Sequence, residues 1–325
     1  MTAKRLAAVL VAVLLVAGAF VVRRQFLDDD SPAGPTQATS VVCITELSAA
    51  CDALAGQGLA VSVRDAGETL DALATLADPA DAPVWITVAP YPAMVDSLRR
   101  ANGLPELSPT MIGMAHSELV LAVSTEGRAE ALATTCGTGL VFECVVEHVG
   151  DDWSDIGGES SWGTVRPSFG EVAATATGLI ALAAATTARL GTDEVGRDQL
   201  GQAGFITWIR GFTSAAGRTA LSGGTPLATM ITRPSALDVA ATTEAEIVRS
   251  GEPAARFAVL YPESGMSLQA VAAVPLGSDL ASSAVDEATR AVIDDGWTAE
   301  AGQAAVSSLS ATTLLAVRSF WMEAT

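Results

Sequence analysis

Four cysteines stand as two pairs of equal separation, Cys43 with Cys51 and Cys136 with Cys144, with seven residues between partners. Thiols so spaced can close two local disulfides, gather as a four-thiolate zinc site, or lie buried and unrelated. Zinc sites usually leave about two to four residues within each cysteine pair, so the spacing suits them poorly. It suits disulfides if the chain leaves the reducing cytosol. Each bridge would staple a short loop and contribute about 2 to 3 kcal/mol.

Other chemistry is scarce. The two histidines, His116 and His148, have no Gly-x-Ser-x-Gly turn to serve, so a Ser-His-Asp hydrolase has nothing to build on. His116 reads as an ordinary residue ahead of a strand, and His148 as one in an acidic loop. Lys4 is the single lysine, which excludes Schiff-base, Walker-lysine and Ser-Lys mechanisms. Glu147, His148, Asp151, Asp152, Asp155 and Glu159 offer hard ligands but lack the Asp-x-Asp-x-Asp-Gly spacing of strong calcium loops. They read as a solvated loop. The expectation is a protein that is not an enzyme and carries no cofactor or metal.

Lys4 and Arg5 precede an unbroken apolar run from Leu6 to Val22, which Arg23 and Arg24 close. That pattern is a signal sequence or a signal anchor. As a helix its residues reach about 26 Å, at the short end of a bilayer core of roughly 30 Å. Ala17-Gly18-Ala19 suits signal peptidase, but cleavage there leaves Phe20, Val21 and Val22 as an apolar new terminus. Residues 1–27 therefore read as a retained transmembrane anchor, and 28–39, with an acidic triplet and two prolines, as a linker. The bulk, 40–325, then lies outside the cell on a single-pass anchor, or is secreted if the signal is cleaved. An oxidising compartment selects the disulfide reading of the cysteines.

Four of the eighteen basic residues flank the apolar run, so fourteen cations face thirty-seven acids beyond it, a formal balance of −23. A nucleic-acid partner is excluded, since phosphate backbones need clustered Lys and Arg. Half the chain is apolar and aromatics are few, so the cores must be built from Ala, Val and Leu. The length beyond the linker suits two modest lobes.

Short β-rich runs alternate with helical stretches, which argues for βαβ units around a largely parallel sheet. Strands are expected at Ser40–Thr45, Leu59–Val63, Val84–Val88 and Leu119–Ser124, and helices at Leu47–Ala55, Gly67–Leu76 and Tyr91–Ala101. The glycines from Gly137 to Gly163 suggest loops and crossing segments rather than core. Ala173–Leu190 is apolar nearly all round, yet its threonines and the following Gly191 describe a buried helix with a glycine cap, not a membrane span. Phe205–Phe212, Ala228–Thr232 and Arg256–Tyr261 supply further elements, and Ala284–Ile293 and Ala304–Trp321 read as the last helices.

Four phrases carry a family resemblance: Val84-Trp85-Ile86-Thr87-Val88 running to Pro90-Tyr91-Pro92, then Leu119 to Ser124, Trp162-Gly163-Thr164-Val165-Arg166-Pro167-Ser168 ahead of Thr177-Gly178-Leu179, and Val259-Leu260-Tyr261-Pro262-Glu263. From Ser40 onward the chain resembles a type II periplasmic-binding-protein domain, the solute-binding kind found alone or beside a von Willebrand A domain in exported bacterial proteins. The resemblance implies a two-lobed α/β fold, with lobe I at about 40–123 and 240–325 and lobe II at about 124–239. It implies a cleft lined by strand-to-helix loops. Helix N-termini there present unpaired N–H groups and partial positive charge, which suit a polar or anionic small molecule.

At the implied places stand Thr45 and Ser48, Thr87, Ser160 and Ser161, and Ser168 with Thr175. Arg166 would add a bidentate charge. Each hydroxyl also suits plain helix capping, and Trp85 and Trp162 suit core or cleft walls. The implied function is capture of a small ligand for an ABC-type permease. An A-domain partner would be a separate chain, since no Asp-x-Ser-x-Ser motif occurs here. The alternative is a cell-envelope scaffold that keeps the fold without a working cleft.

Overall fold

The computed structural model describes residues 39–137, 141–192, 194–216, 224–262, 266–278, 280–299 and 310–324. The expected membrane anchor, the linker before residue 39 and residues 304–309 of the expected last helix lie outside the described residues. Among the described residues no helix is long and apolar enough to cross a membrane.

Strand β1 (Ser40–Ile44) leads through a 3-10 turn at Thr45–Leu47 into α1 (Ser48–Gly56), followed by β2 (Ala60–Arg64), α2 (Ala66–Thr75), β3 (Val84–Val88) and α3 (Pro90–Ala101). β1 lies between β2 and β3 and runs parallel to both. β3 is buried at every position. A strand covered on both faces reads as a continuous apolar run, which is why this one was plain in the sequence. Arg99, fully buried on α3, donates to the carbonyls of Leu73 (2.8 Å), Leu76 (2.7 Å) and Pro105 (2.6 Å), so one guanidinium satisfies the end of α2 and fixes it to α3.

β4 (Thr110–Val123) joins two pairing systems. From Thr110 to Glu118 it pairs antiparallel with β8 (Ser267–Val274), which also pairs antiparallel with β3. From Leu119 to Val123 it pairs antiparallel with β6 (Val239–Thr243), and from Leu121 also with β7 (Ala258–Leu260). β5 (Pro167–Ser168) adds parallel to β6, and β9 (Thr298–Ala299) pairs with β4 at Ala115 and His116. The order is β2-β1-β3-β8-β4-β6-β5.

The expected largely parallel sheet is thus corrected to a mixed one. The cause is β8, a late strand that enters antiparallel between β3 and β4. Its sequence, alanine-rich and buried at six of eight positions, lacks the alternation that marks a half-exposed strand. β4 begins nine residues earlier than expected, because Thr110–Glu118 mixes polar side chains and Gly113 into a strand with a bulge between Gly113 and Ala115. His116 lies within this strand, not ahead of it.

The remaining helices are α4 (Glu126–Cys136), α5 (Val141–Glu147), α6 (Ala176–Leu190), α7 (Arg197–Leu200), α8 (Ala203–Ala216), α9 (Pro226–Thr232), α10 (Glu244–Ser250), α11 (Ser282–Asp294) and α12 (Ala311–Ala324). Thr125, Thr175, Thr225 and Thr243 cap α4, α6, α9 and α10, each accepting from the N–H three residues on at 3.3, 3.1, 3.1 and 3.2 Å. α6 is buried along most of its length and ends at Gly191 in the left-handed region (φ 63°), as its sequence implied. α12 packs on both α3 and α6, and α1 packs on α11.

Both cysteine pairs are disulfides, with Cα separations of 5.9 Å for Cys43–Cys51 and 5.6 Å for Cys136–Cys144. The first joins β1 to α1 and encloses the turn between them. The glycine-rich stretch before Gly163 is more than loop: Trp153 and Ile156 are buried core residues. Replacing both Cys43 and Cys51 with alanine is expected to lower the unfolding free energy by about 2 to 3 kcal/mol in urea titrations, through the freedom returned to the unfolded loop.

Candidate functional site

A cavity of about 70 Å³ lies where the β1–α1 turn faces the start of α6. Thr45 and Glu46 form one wall, Thr175, Thr177 and Gly178 another. Phe169 and Glu171 come from the preceding segment, Thr243, Glu246 and Arg249 from the end of β6 and α10, and Trp297 from the stretch after α11.

Glu46 dominates the chemistry. Its Oε1 accepts from the backbone N–H of Ala176 at 2.8 Å and of Thr177 at 3.4 Å, while Thr175 Oγ1 accepts from Gly178. The first three N–H groups of α6, those a helix cannot satisfy for itself, are therefore all engaged by the chain's own side chains. The residue keeps some exposed surface, yet Oε2 is buried with no hydrogen-bond partner. Burial pushes the Glu46 carboxyl above its ordinary value. The backbone N–H groups of Glu46, Thr177 and Ala176 oppose that rise, and the nearby Glu246 adds to it.

The segment before α6 is gripped from several sides. Gly67 N–H donates to Ala174 O at 2.8 Å, and Tyr91 OH approaches Thr175 O at 3.5 Å. Arg318 of α12 binds Asp71 bidentately at 2.9 and 2.8 Å and reaches Ala173 O at 3.3 Å. Burial, with the nearby Glu46 carboxylate, pushes the Tyr91 phenol well above its ordinary value and keeps it a donor. Gly67 is required by this approach, because a Cβ there would sit 1.8 Å from Ala173 O.

Of the residues the sequence offered as ligand contacts, Thr45 and Thr175 line this cavity and the others do not. Thr45 Oγ1 donates to Asp65 at 3.0 Å. Ser48 starts α1, and Thr87 is fully buried in β3 with its hydroxyl unpartnered. Ser160 and Ser161 sit in an exposed 3-10 turn, where Ser161 donates to Glu159 at 3.2 Å. Ser168 Oγ accepts from Gly170 N–H at 3.3 Å.

Arg166 is engaged elsewhere: Nε and NH2 both meet Asp238, each at 3.1 Å, and NH1 donates to Ser235 O. Asp238 is buried and also takes Arg128 (3.5 Å) and Trp153 Nε1 (3.4 Å). Arg128 in turn lies over the rings of Trp153 and Trp162, at 5.5 and 5.2 Å. The phrase around Trp162 and Arg166 thus builds a packed structural cluster. Glu147 pairs with Arg189, and His148 with Asp151 at 2.9 Å.

Sequence reasoning missed Glu46, Glu171, Glu246, Phe169 and Trp297. Glu46 had one usable signal, its place in the turn after the first strand. Glu246 and Trp297 had none, since folding brings them in from distant elements.

The described residues have an α/β fold that matches, by shape, that of type II periplasmic binding proteins. Two solved structures carry the likeness. One is apo ferric ion-binding protein A from Pasteurella haemolytica, 11% identical, covering 88% of this chain and 96% of that one, with a TM-score of 0.50. The other is a periplasmic thiamin-binding protein, 11% identical, covering 90% and 98%, with a TM-score of 0.51. No protein-family model matches the sequence, and no curated protein matches it significantly.

Two outcomes test this geometry. The folded-state value of Glu46 lies above the unfolded one, so the stability linked to its proton is complete below the ordinary value of 4.5 and is lost as pH rises through the folded value. Glu46→Gln should therefore melt higher than the wild type at neutral pH, with the difference closing in acid, as read by melting curves across pH. Gly67→Ala should cost about 1 to 3 kcal/mol in chemical denaturation, because the backbone at Ala173 must move to admit the methyl group.

Proposed function

We propose that this chain is an extracytoplasmic solute-binding protein, held at the membrane by its N-terminal apolar segment, that captures a small polar molecule and presents it to a permease. The observation that carries the reading is the cavity in which the β1–α1 turn meets the N-terminus of α6. Two disulfides suit an oxidising compartment, and the strong acidic excess suits a soluble extracellular body.

In this reading the lobes are hinged in β4 between Glu118 and Leu119, and again between β7 and β8. Residues 239–260 then belong with lobe II, since β6 and β7 pair with 119–123. That moves the division from the expected 123 and 239. The grip on Ala173–Thr177 is a contact of the closed form, and opening breaks it.

A second reading, a cell-envelope scaffold with the same fold, draws support from Glu46, because a helix end that a ligand could use is already capped by protein. A thermal-shift panel of amino acids, sugars, oxyanions, amines and metal ions separates the two. A ligand at a hundred times its dissociation constant adds about 2.7 kcal/mol of stability. Thr177→Phe, which fills the cavity, should abolish any such shift, and Ser161→Ala, outside it, should leave the shift intact. Silence across the panel favours the scaffold.

A further inference from the structure

With the lobes divided at Glu118 and again after β7, the grip on Ala173–Thr177 is a set of bonds from one lobe to the other. Two helix N-termini meet there and answer each other. Ala176 and Thr177, in the first turn of α6, donate to Glu46 of lobe I at 2.8 and 3.4 Å. Gly67, in the first turn of α2, donates to Ala174 O of lobe II at 2.8 Å. These are N–H groups that a helix cannot satisfy for itself, so each depends on the opposite lobe. Tyr91 OH adds a longer approach to Thr175 O at 3.5 Å. Arg318, on a helix that packs on both α3 and α6, holds Asp71 of lobe I at 2.9 and 2.8 Å and Ala173 O of lobe II at 3.3 Å.

The lobes touch backbone to backbone at this point, since a Cβ on Gly67 would lie 1.8 Å from Ala173 O. Both partners of every bond belong to the chain, so closure requires no guest. A net intramolecular hydrogen bond favours the bonded form by roughly two- to tenfold. The bonds from Ala176, Gly67 and Arg318 form and break together, so their biases multiply and make the closed form the major population.

We propose that the chain latches itself closed, with Glu46 as the strap that carries one lobe onto the start of α6 in the other. A guest then enters only during openings, and its apparent dissociation constant is raised by the reciprocal of the open fraction. The inference rests on the lobe division of the solute-binding reading and not on the identity of a guest.

Amide hydrogen exchange of the detergent-solubilised full chain, with no added ligand, tests the latch. Gly67 N–H is the reporter, because its acceptor lies on the other lobe and Glu46 does not touch it. In the wild type it should exchange slowly. Glu46→Ala should speed its exchange by about tenfold or more, while the amides of β3 keep their rates. Glu46→Gln, which keeps an acceptor oxygen for α6, should protect Gly67 as the wild type does. Rapid exchange at Gly67 in the wild type overturns the latch. So does a Glu46→Ala chain in which only Ala176 and Thr177 lose protection, which makes Glu46 a local helix cap. Loss of protection in β3 as well also overturns it, because Glu46 then supports the whole fold. None of these outcomes touches the solute-binding reading, which falls only if the thermal-shift panel is silent on the wild type and on Glu46→Ala alike.

Discussion

The bond from Glu46 to the first N–H groups of α6 joins parts of the chain 130 residues apart, and much of the architecture serves to make it possible. β1 must end where the turn can project the side chain, and α6 must begin at Thr175 so that its donors face that turn. Gly67 must lack a side chain so that α2 can come up beside Ala174. Arg318 must reach over from α12 to hold Asp71 and Ala173 together. Each contact is modest alone. Jointly they fix one short segment, Ala173–Thr177, from four elements, and a cavity lies beside it.

Just ahead of β6 another carboxylate does comparable work. Asp238 gathers Arg166, Arg128 and Trp153, and the two tryptophans stack around Arg128. A buried carboxylate with two guanidiniums satisfies its desolvation locally, and the hydrogen bonds specify one arrangement of the 150–166 segment. Glu46 has no such cation. The two carboxylates thus differ in how protein answers them, one with guanidiniums and an indole and the other with backbone N–H groups on a single oxygen.

How far the sequence disclosed this depends on range. The βαβ start was legible to within a residue or two, because β1 and β3 are mostly apolar, with only Ser40 and Thr87 interrupting them, and the helices after them carry their apolar residues on one face. The cysteine pairing was legible because each bridge is local. β8 was not, since its partners β3 and β4 lie far away in sequence and its alanines give no periodic signal. Arg166 looked like a ligand clamp and is a clamp, but on Asp238, which only the fold brings to it. Glu46 was one acid among many, and its importance comes entirely from the helix it meets.

Cys43 and Cys51 close a small covalent ring, and Glu46 rides inside it. The reach of the carboxylate toward α6 is therefore set by a bond that persists only where the surroundings are oxidising. Where cellular thiols keep the ring open, the turn regains its freedom and the carboxylate loses its fixed bearing. The contact between Glu46 and α6 is thereby tied to the oxidation of one pair of thiols, a redox dependence written into eight residues of spacing.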